Sequence, residues 1–107
     1  MDAGKLDRRI SIERAFATTD AVGGEVLSWL PLRTVWAEVR QISDGERWRA
    51  AEVSAFATTR FTVRWDDDAV EETDRILYDG GVYEIVGIKE IGRRVGQEIT
   101  ASARVEA

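Results

Sequence analysis

Arg8-Arg9-Ile10-Ser11-Ile12-Glu13-Arg14, then Asp20, Gly23-Gly24-Glu25 and Trp29, then Thr34-Val35-Trp36-Ala37-Glu38-Val39: the order of these pieces decides the fold. The first alternates apolar and polar residues with period two, placing Ile10 and Ile12 on one face and Arg9, Ser11 and Glu13 on the other. A glycine-bearing reversal follows, and then alternation resumes. Together they describe a β-hairpin. Ala15–Gly24, with Thr18-Thr19-Asp20 and Gly23-Gly24, reads as a long, mobile hairpin loop built from turn-forming residues. A second strand is expected over Glu25–Trp29, ending at Pro31, where a missing ladder donor is tolerable. A third, about Val35–Ile42, turns Val35, Ala37 and Val39 inward and Trp36, Glu38 and Arg40 outward.

Further along, Ser43-Asp44-Gly45-Glu46 has the form of a capping box, and helix formers dominate from Glu46 to about Ala55. One short α-helix is therefore expected near residues 44–56. Its apolar face is thin (Trp48, Ala51, Ala55), so it needs the barrel or a neighbouring subunit to pack against. Strand character returns at Thr58–Trp65. An acidic connection follows, containing Asp66-Asp67-Asp68, Glu71-Glu72 and Asp74. Arg75–Tyr78 meets Val82–Ile88 through Asp79-Gly80-Gly81, a strong hairpin signal. Gly87 marks an expected bulge, since Tyr83 and Ile85 share one face before it and Val86 and Ile88 lie differently. Gly92–Gly96 forms the last turn, and Gln97–Val105 the last strand. Six to seven short strands, one helix and no repeats imply a mainly β protein: a small antiparallel β-barrel in a single domain, 1–107.

Composition narrows the chemistry. The 107 residues contain neither cysteine nor histidine, which removes disulfides, thiol catalysis, cysteine metal sites and the commonest metal ligand. No catalytic, cofactor-binding or metal-binding residues are assigned, no cofactor is expected, and an enzyme is not expected. No apolar run approaches the ~20 residues of a membrane-spanning helix. Met1-Asp2-Ala3-Gly4-Lys5 leads straight into a charged strand with no signal-peptide apolar region, so the expectation is a protein that stays where it is made.

Net charge is −5, and all cationic residues except Lys5 and Lys89 are arginine. An acidic chain is a poor free-standing duplex-DNA binder, and arginine suits bidentate pairing with carboxylates across protein interfaces. The triple aspartate lacks the spacers and turn glycine of a calcium loop. It reads as a solvated loop, or as a contact for arginines of an adjoining subunit. Arg60, Arg64 and Arg93-Arg94 with Trp65, Trp48 and Tyr83 allow a stacking surface for single-stranded nucleic acid. The competing assignment places Trp65 and one tyrosine in the barrel core. Trp48 reads as an interface residue, and Trp36 faces outward.

The pieces also resemble a known family in their order. Gly4-Lys5-Leu6-Asp7-Arg8-Arg9-Ile10 with Ile12-Glu13-Arg14, the Asp20, Gly23-Gly24 and Trp29 tip, and Thr34-Val35-Trp36-Ala37-Glu38-Val39 are similar to head–tail joining (head closure, or stopper) proteins of tailed bacteriophages and gene transfer agents. Gly45-Glu46, Thr59–Trp65, Arg75–Gly80 and Tyr83-Glu84-Ile85 follow in the same order. Ala101 and Ala103 depart from it, standing where the family more often has bulkier residues.

The resemblance implies a β-barrel protomer in a homo-oligomeric ring, hexamer or dodecamer, in the neck of a virion or phage-like particle, made and assembled in the bacterial cytoplasm. The ring closes the DNA-filled head below portal and adaptor and offers the docking platform for the tail terminator or tail tube. Packaged DNA passes through its lumen without sequence-specific binding, which an acidic surface suits; no membrane is involved. Two segments are candidates for contact. Thr18, Thr19, Asp20, Val22, Gly23 and Gly24 would face the adaptor or portal side. Glu46, Arg47, Trp48, Arg49 and Glu52 would serve the subunit or lumen side. Two alternatives stay open: a small OB- or SH3-like barrel that binds single-stranded nucleic acid, and a tail-terminator ring protein.

Overall fold

The structure, a computed structural model, describes residues 3–42 and 59–103. A short 3₁₀ turn, Ala3–Lys5, precedes six strands: β1 Arg8–Thr19, β2 Glu25–Gln41, β3 Thr59–Arg64, β4 Arg75–Tyr78, β5 Gly81–Ile91 and β6 Gly96–Ala103. They close into an antiparallel barrel in the order β1-β2-β3-β6-β5-β4, with β4 returning to β1 through Ser11↔Leu77, Ile12↔Ile76 and Glu13↔Arg75. Closure gives each of the six strands a paired neighbour on both sides over at least part of its length. The helix expected near residues 44–56 lies outside the described residues.

Alternation fills the interior. Ile10 and Ile12 of β1, Ala37 of β2, Phe61 and Val63 of β3, Ile76 of β4, and Ile99 and Ala101 of β6 are all buried in one core. Phe61 stands at its centre, fully buried, with Tyr78 and Tyr83 each meeting its ring edge-on at 5.9 and 5.2 Å. Both tyrosines are therefore core residues. Trp65 is not: it sits half-buried just past the end of β3, with its amide bonded to the Val95 carbonyl and the Arg94 guanidinium 5.7 Å above its ring. The small Ala101 is fully buried, in register with Thr59 on one side and Ile85 on the other.

The expected bulge at Gly87 is present, because the β5–β6 register shifts between Ile85 and Gly87. The extra residue lets Ile85 and Ile88, three apart, both pack on the core. Asp79 and Gly80 have φ of 50° and 78° and link Tyr78 to Gly81 as a two-residue loop. This left-handed pair matches the twist of the flanking strands.

The first hairpin differs from expectation. Ala15–Thr19 is strand rather than loop, and Glu25–Trp29 and Val35–Gln41 belong to one continuous seventeen-residue strand. Pro31 does not end that strand. It pairs with Glu13 where the register slips past Leu32, and a bulge absorbs the ladder donor that proline lacks. Leu32, the extra residue, packs against the core.

Among the described residues, β1 beyond Glu13 pairs with β2 alone, and β2 pairs with β3 only from Ala37 to Gln41. Arg14–Thr19 and Glu25–Leu30 therefore leave the barrel as a two-stranded arm of six residue pairs. At ~3.3 Å per residue it projects roughly 20 Å.

Candidate assembly surfaces

An isolated two-stranded ribbon is marginal in water, so the root of the arm decides whether it is held. Arg14 supplies most of that anchorage. Its Nε donates to Asp74 Oδ1 at 2.9 Å and its Nη2 to Asp74 Oδ2 at 3.0 Å. Nη1 reaches Asp68 Oδ1 at 2.7 Å, and Nη2 also donates to the Ala69 carbonyl. The hydrogen bonds to Asp74 and then Asp68 raise the guanidinium pKa above its already high ordinary value, so it stays charged.

On the other side of the root, Arg75 Nε and Nη2 both lie 2.7 Å from Glu13 Oε1, and the same guanidinium stacks 4.1 Å over the Trp29 ring. Arg33 adds a bond from Nη1 to the Asp68 carbonyl at 2.8 Å. Asp66 and Asp68 are thus engaged by arginines of the same chain rather than simply solvated, Asp66 at 3.8 Å from Arg33. The acidic connection is the socket of the arm.

The tip is built around one side chain. Asp20 Oδ1 accepts from the amides of Val22 at 3.0 Å and Gly24 at 2.7 Å, and the Asp20 backbone bonds to Gly23 and Gly24. Gly23 has φ of +84°, open to glycine at no steric cost. A Cβ on Gly24 would stand 2.7 Å from the Asp20 carboxylate, so the capped loop also needs a glycine there. Of the residues expected on the adaptor side, Asp20, Val22, Gly23 and Gly24 form this tip. Thr18 and Thr19 are instead the last paired residues of β1, opposite Val26 and Glu25. Glu46, Arg47, Trp48, Arg49 and Glu52 lie outside the described residues.

The arm carries apolar residues that the sequence reading assigned no role. Phe16, Val26, Leu27 and Leu30 are exposed along it, and Val22 at the tip is 92% exposed. Their signal was available in the alternation Phe16-Ala17-Thr18 against Val26-Leu27-Ser28, hidden once Ala15–Gly24 is taken as loop.

A second surface lies on the barrel, where β3 has ended and β2 has no strand paired on that side among the described residues. It is a groove of about 700 Å³ lined by residues that include Arg9, Val35, Trp36, Arg64 and Trp65. Trp36 is 51% exposed, as its outward position predicts, and Arg9 stacks 4.7 Å over its ring. The Trp65 indole Nε1 is buried without a hydrogen-bond partner among the described residues. Of the aromatic and arginine set considered for nucleic-acid stacking, Arg64, Trp65 and Arg94 come together at the groove, whereas Tyr83 packs against the core and Arg60 lies 3.4 Å from Glu98 on the barrel wall; Trp48 lies outside the described residues. Among the described residues no cluster of three or more carboxylates has the arrangement to hold a metal ion, and no helix is long and apolar enough to cross a membrane.

Comparison with known proteins agrees with this architecture. No curated protein matches the sequence. The solution structure of protein SF1141 from Shigella flexneri 2a is similar over 100% of both chains, with 28% identity and a TM-score of 0.83. A chain of the virion of a native gene transfer agent particle shares the fold, with 23% identity over 94% of this chain and 96% of its own and a TM-score of 0.65. The family model for the phage head completion protein matches residues 1–104, which takes in barrel, arm and groove alike. By that match the chain belongs to the phage head completion proteins, a structural family.

Proposed function

We propose that the chain forms a ring, six- or twelvefold, in the neck of a phage or phage-like particle, where it closes the DNA-filled head and presents a platform to the tail. The observation that carries this reading is the arm: a hairpin clamped at its root by Arg14 and Arg75, with no further strand beside it among the described residues. A monomer gains nothing from exposing that much apolar strand, whereas a component that bridges stacked rings needs such an element. Thr18, Thr19, Asp20, Val22, Gly23 and Gly24 meet the adaptor or portal on the head side. The barrel faces the tail terminator or tail tube, and residues 43–58, with Trp48, serve subunit or lumen contacts. Assembly takes place in the bacterial cytoplasm, and DNA crosses the lumen without base-specific contact.

Deleting Val22–Glu25 tests the head-side assignment. The variant is expected to keep the far-ultraviolet spectrum and unfolding midpoint of the barrel while losing association with heads in a particle-assembly assay. Normal tail attachment by that variant would refute the assignment.

A further inference from the structure

Seven large apolar side chains are exposed among the described residues, and they fall into two groups. Five belong to the arm: Phe16, Val22, Val26, Leu27 and Leu30. The other two are on the barrel: Trp36 lines the groove, and Val95 accepts a bond at its carbonyl from the amide of Trp65, another groove residue. The charges divide in the opposite sense. Between Ala15 and Leu30 the only charged residues are Asp20 and Glu25, both acidic and exposed. The groove presents Arg9, Arg33 and Arg64 against Asp7 and Asp66, and neither Arg9 nor Arg64 is paired with a carboxylate among the described residues.

Resting on the ring reading above, we infer that the arm of one copy lies in the Trp36 groove of the next. Leu27 covers the Trp36 ring, and Glu25, two residues along the same strand face, reaches the Arg9 and Arg64 side chains. The occupant is a second copy of this chain because each patch supplies what the other lacks: apolar with acid on the arm, aromatic with arginine in the groove. The two patches are different surfaces of one molecule, so the contact is head-to-tail, the kind that closes into a ring. The edge of β2 beside the groove, unpaired among the described residues, gives the incoming strand backbone groups to pair with. The tip, Asp20–Gly24, extends past the contact and stays available to the head side.

The absence of cysteine makes the test direct. Leu27→Cys and Trp36→Cys each place one thiol on an exposed position of the full chain, with Leu30→Cys as a second arm site should either fold poorly. Treated with a short bismaleimide at high protein concentration, the mixture of the two single variants is expected to give at least tenfold more linked dimer than either alone. Arg64→Glu on the groove copy should lower that yield about tenfold, and Glu25→Arg on the arm copy should restore it. Self-linking of Leu27→Cys as efficient as mixed linking overturns the head-to-tail contact. Native mass spectrometry of the unmodified chain separates the remaining failures. Oligomers without the mixed link refute the arm–groove contact and leave the ring standing; monomer throughout, without the link, refutes both.

Discussion

Arg14 and Asp74, 60 residues apart in sequence, face each other in a two-pronged pair: Nε to Oδ1 at 2.9 Å and Nη2 to Oδ2 at 3.0 Å. The Asp74 side chain is wholly shielded from solvent while that of Arg14 retains 28% exposure. Asp74 also accepts from the Glu71 amide at 2.9 Å, so one carboxylate ties the arm to the β3–β4 connection and shapes that connection. Planar, bidentate recognition of this kind is specific to arginine.

Asp74→Ala is therefore expected to lower stability by about 3 kcal/mol, near the lower end for breaking a buried pair because Arg14 can still reach water and Asp68. The loss will appear as a lower urea midpoint with an unchanged m-value. Arg14→Lys should recover little, since an ammonium cannot span both carboxylate oxygens. A midpoint for Asp74→Ala within error of the parent would show that the arm is held by Glu13–Arg75 and Trp29 instead.

Gln97 closes the end of the barrel in a similar way with neutral groups. Its Oε1 accepts from the Val70 amide and its Nε2 donates to the Val70 carbonyl, both at 3.0 Å, with Gln97 and Val70 both buried. Gln97→Leu keeps the volume and strands two backbone groups, at a cost of about 2–4 kcal/mol. Gln97→Glu keeps one acceptor and loses the donor, and its midpoint should rise as pH falls and the carboxyl gains a proton. A pH-independent midpoint for Gln97→Glu would contradict this placement.

Much of this architecture was legible in the residues. Period-two alternation located β3–β6, and Asp79-Gly80 and Gly87 announced a turn and a bulge because each has a local backbone requirement that few other residues meet. The arm was misread because turn-forming residues between Ala15 and Gly24 outweighed the weaker alternation of Ala15-Phe16-Ala17. The apparent stop at Pro31 hid a bulge that only the pairing with Glu13 makes possible. Long-range partners were beyond reach: no local pattern says that Arg14 meets Asp68 and Asp74, or that Trp65 leaves the core while both Tyr78 and Tyr83 enter it. The tip residues Asp20, Val22, Gly23 and Gly24 are legible as a turn because their turn chemistry is local; the groove is not, because it exists only after β1, β2 and the end of β3 converge.

Phe61 tests the centre of the barrel. Its side chain is fully buried, and both tyrosines lie against its ring. Phe61→Ala is expected to cost about 3–5 kcal/mol, and Phe61→Leu, which retains much of the volume, considerably less. Near-ultraviolet circular dichroism should weaken in both variants, because Tyr78 and Tyr83 lose the ring that fixes them. An unchanged tyrosine signal in Phe61→Ala would mean that the two tyrosines orient one another, their centroids being 6.3 Å apart.

Asp20 separates the stability of the arm from that of the barrel. Its Oδ1 holds the Val22 and Gly24 amides, and no core residue touches the tip, since the arm leaves the barrel after Glu13. Asp20→Ala removes a side-chain acceptor from two amides, a change worth about 1 kcal/mol for the loop. Because local opening of a peripheral ribbon is not coupled to the global transition, hydrogen exchange at Val22 and Gly24 should accelerate about fivefold to tenfold. Amides of Phe61 and Ile99 should keep their protection, and the unfolding midpoint should move little. If the midpoint fell by the full local amount, the arm would belong to the cooperative core, and its availability for reaching another subunit would have to be abandoned.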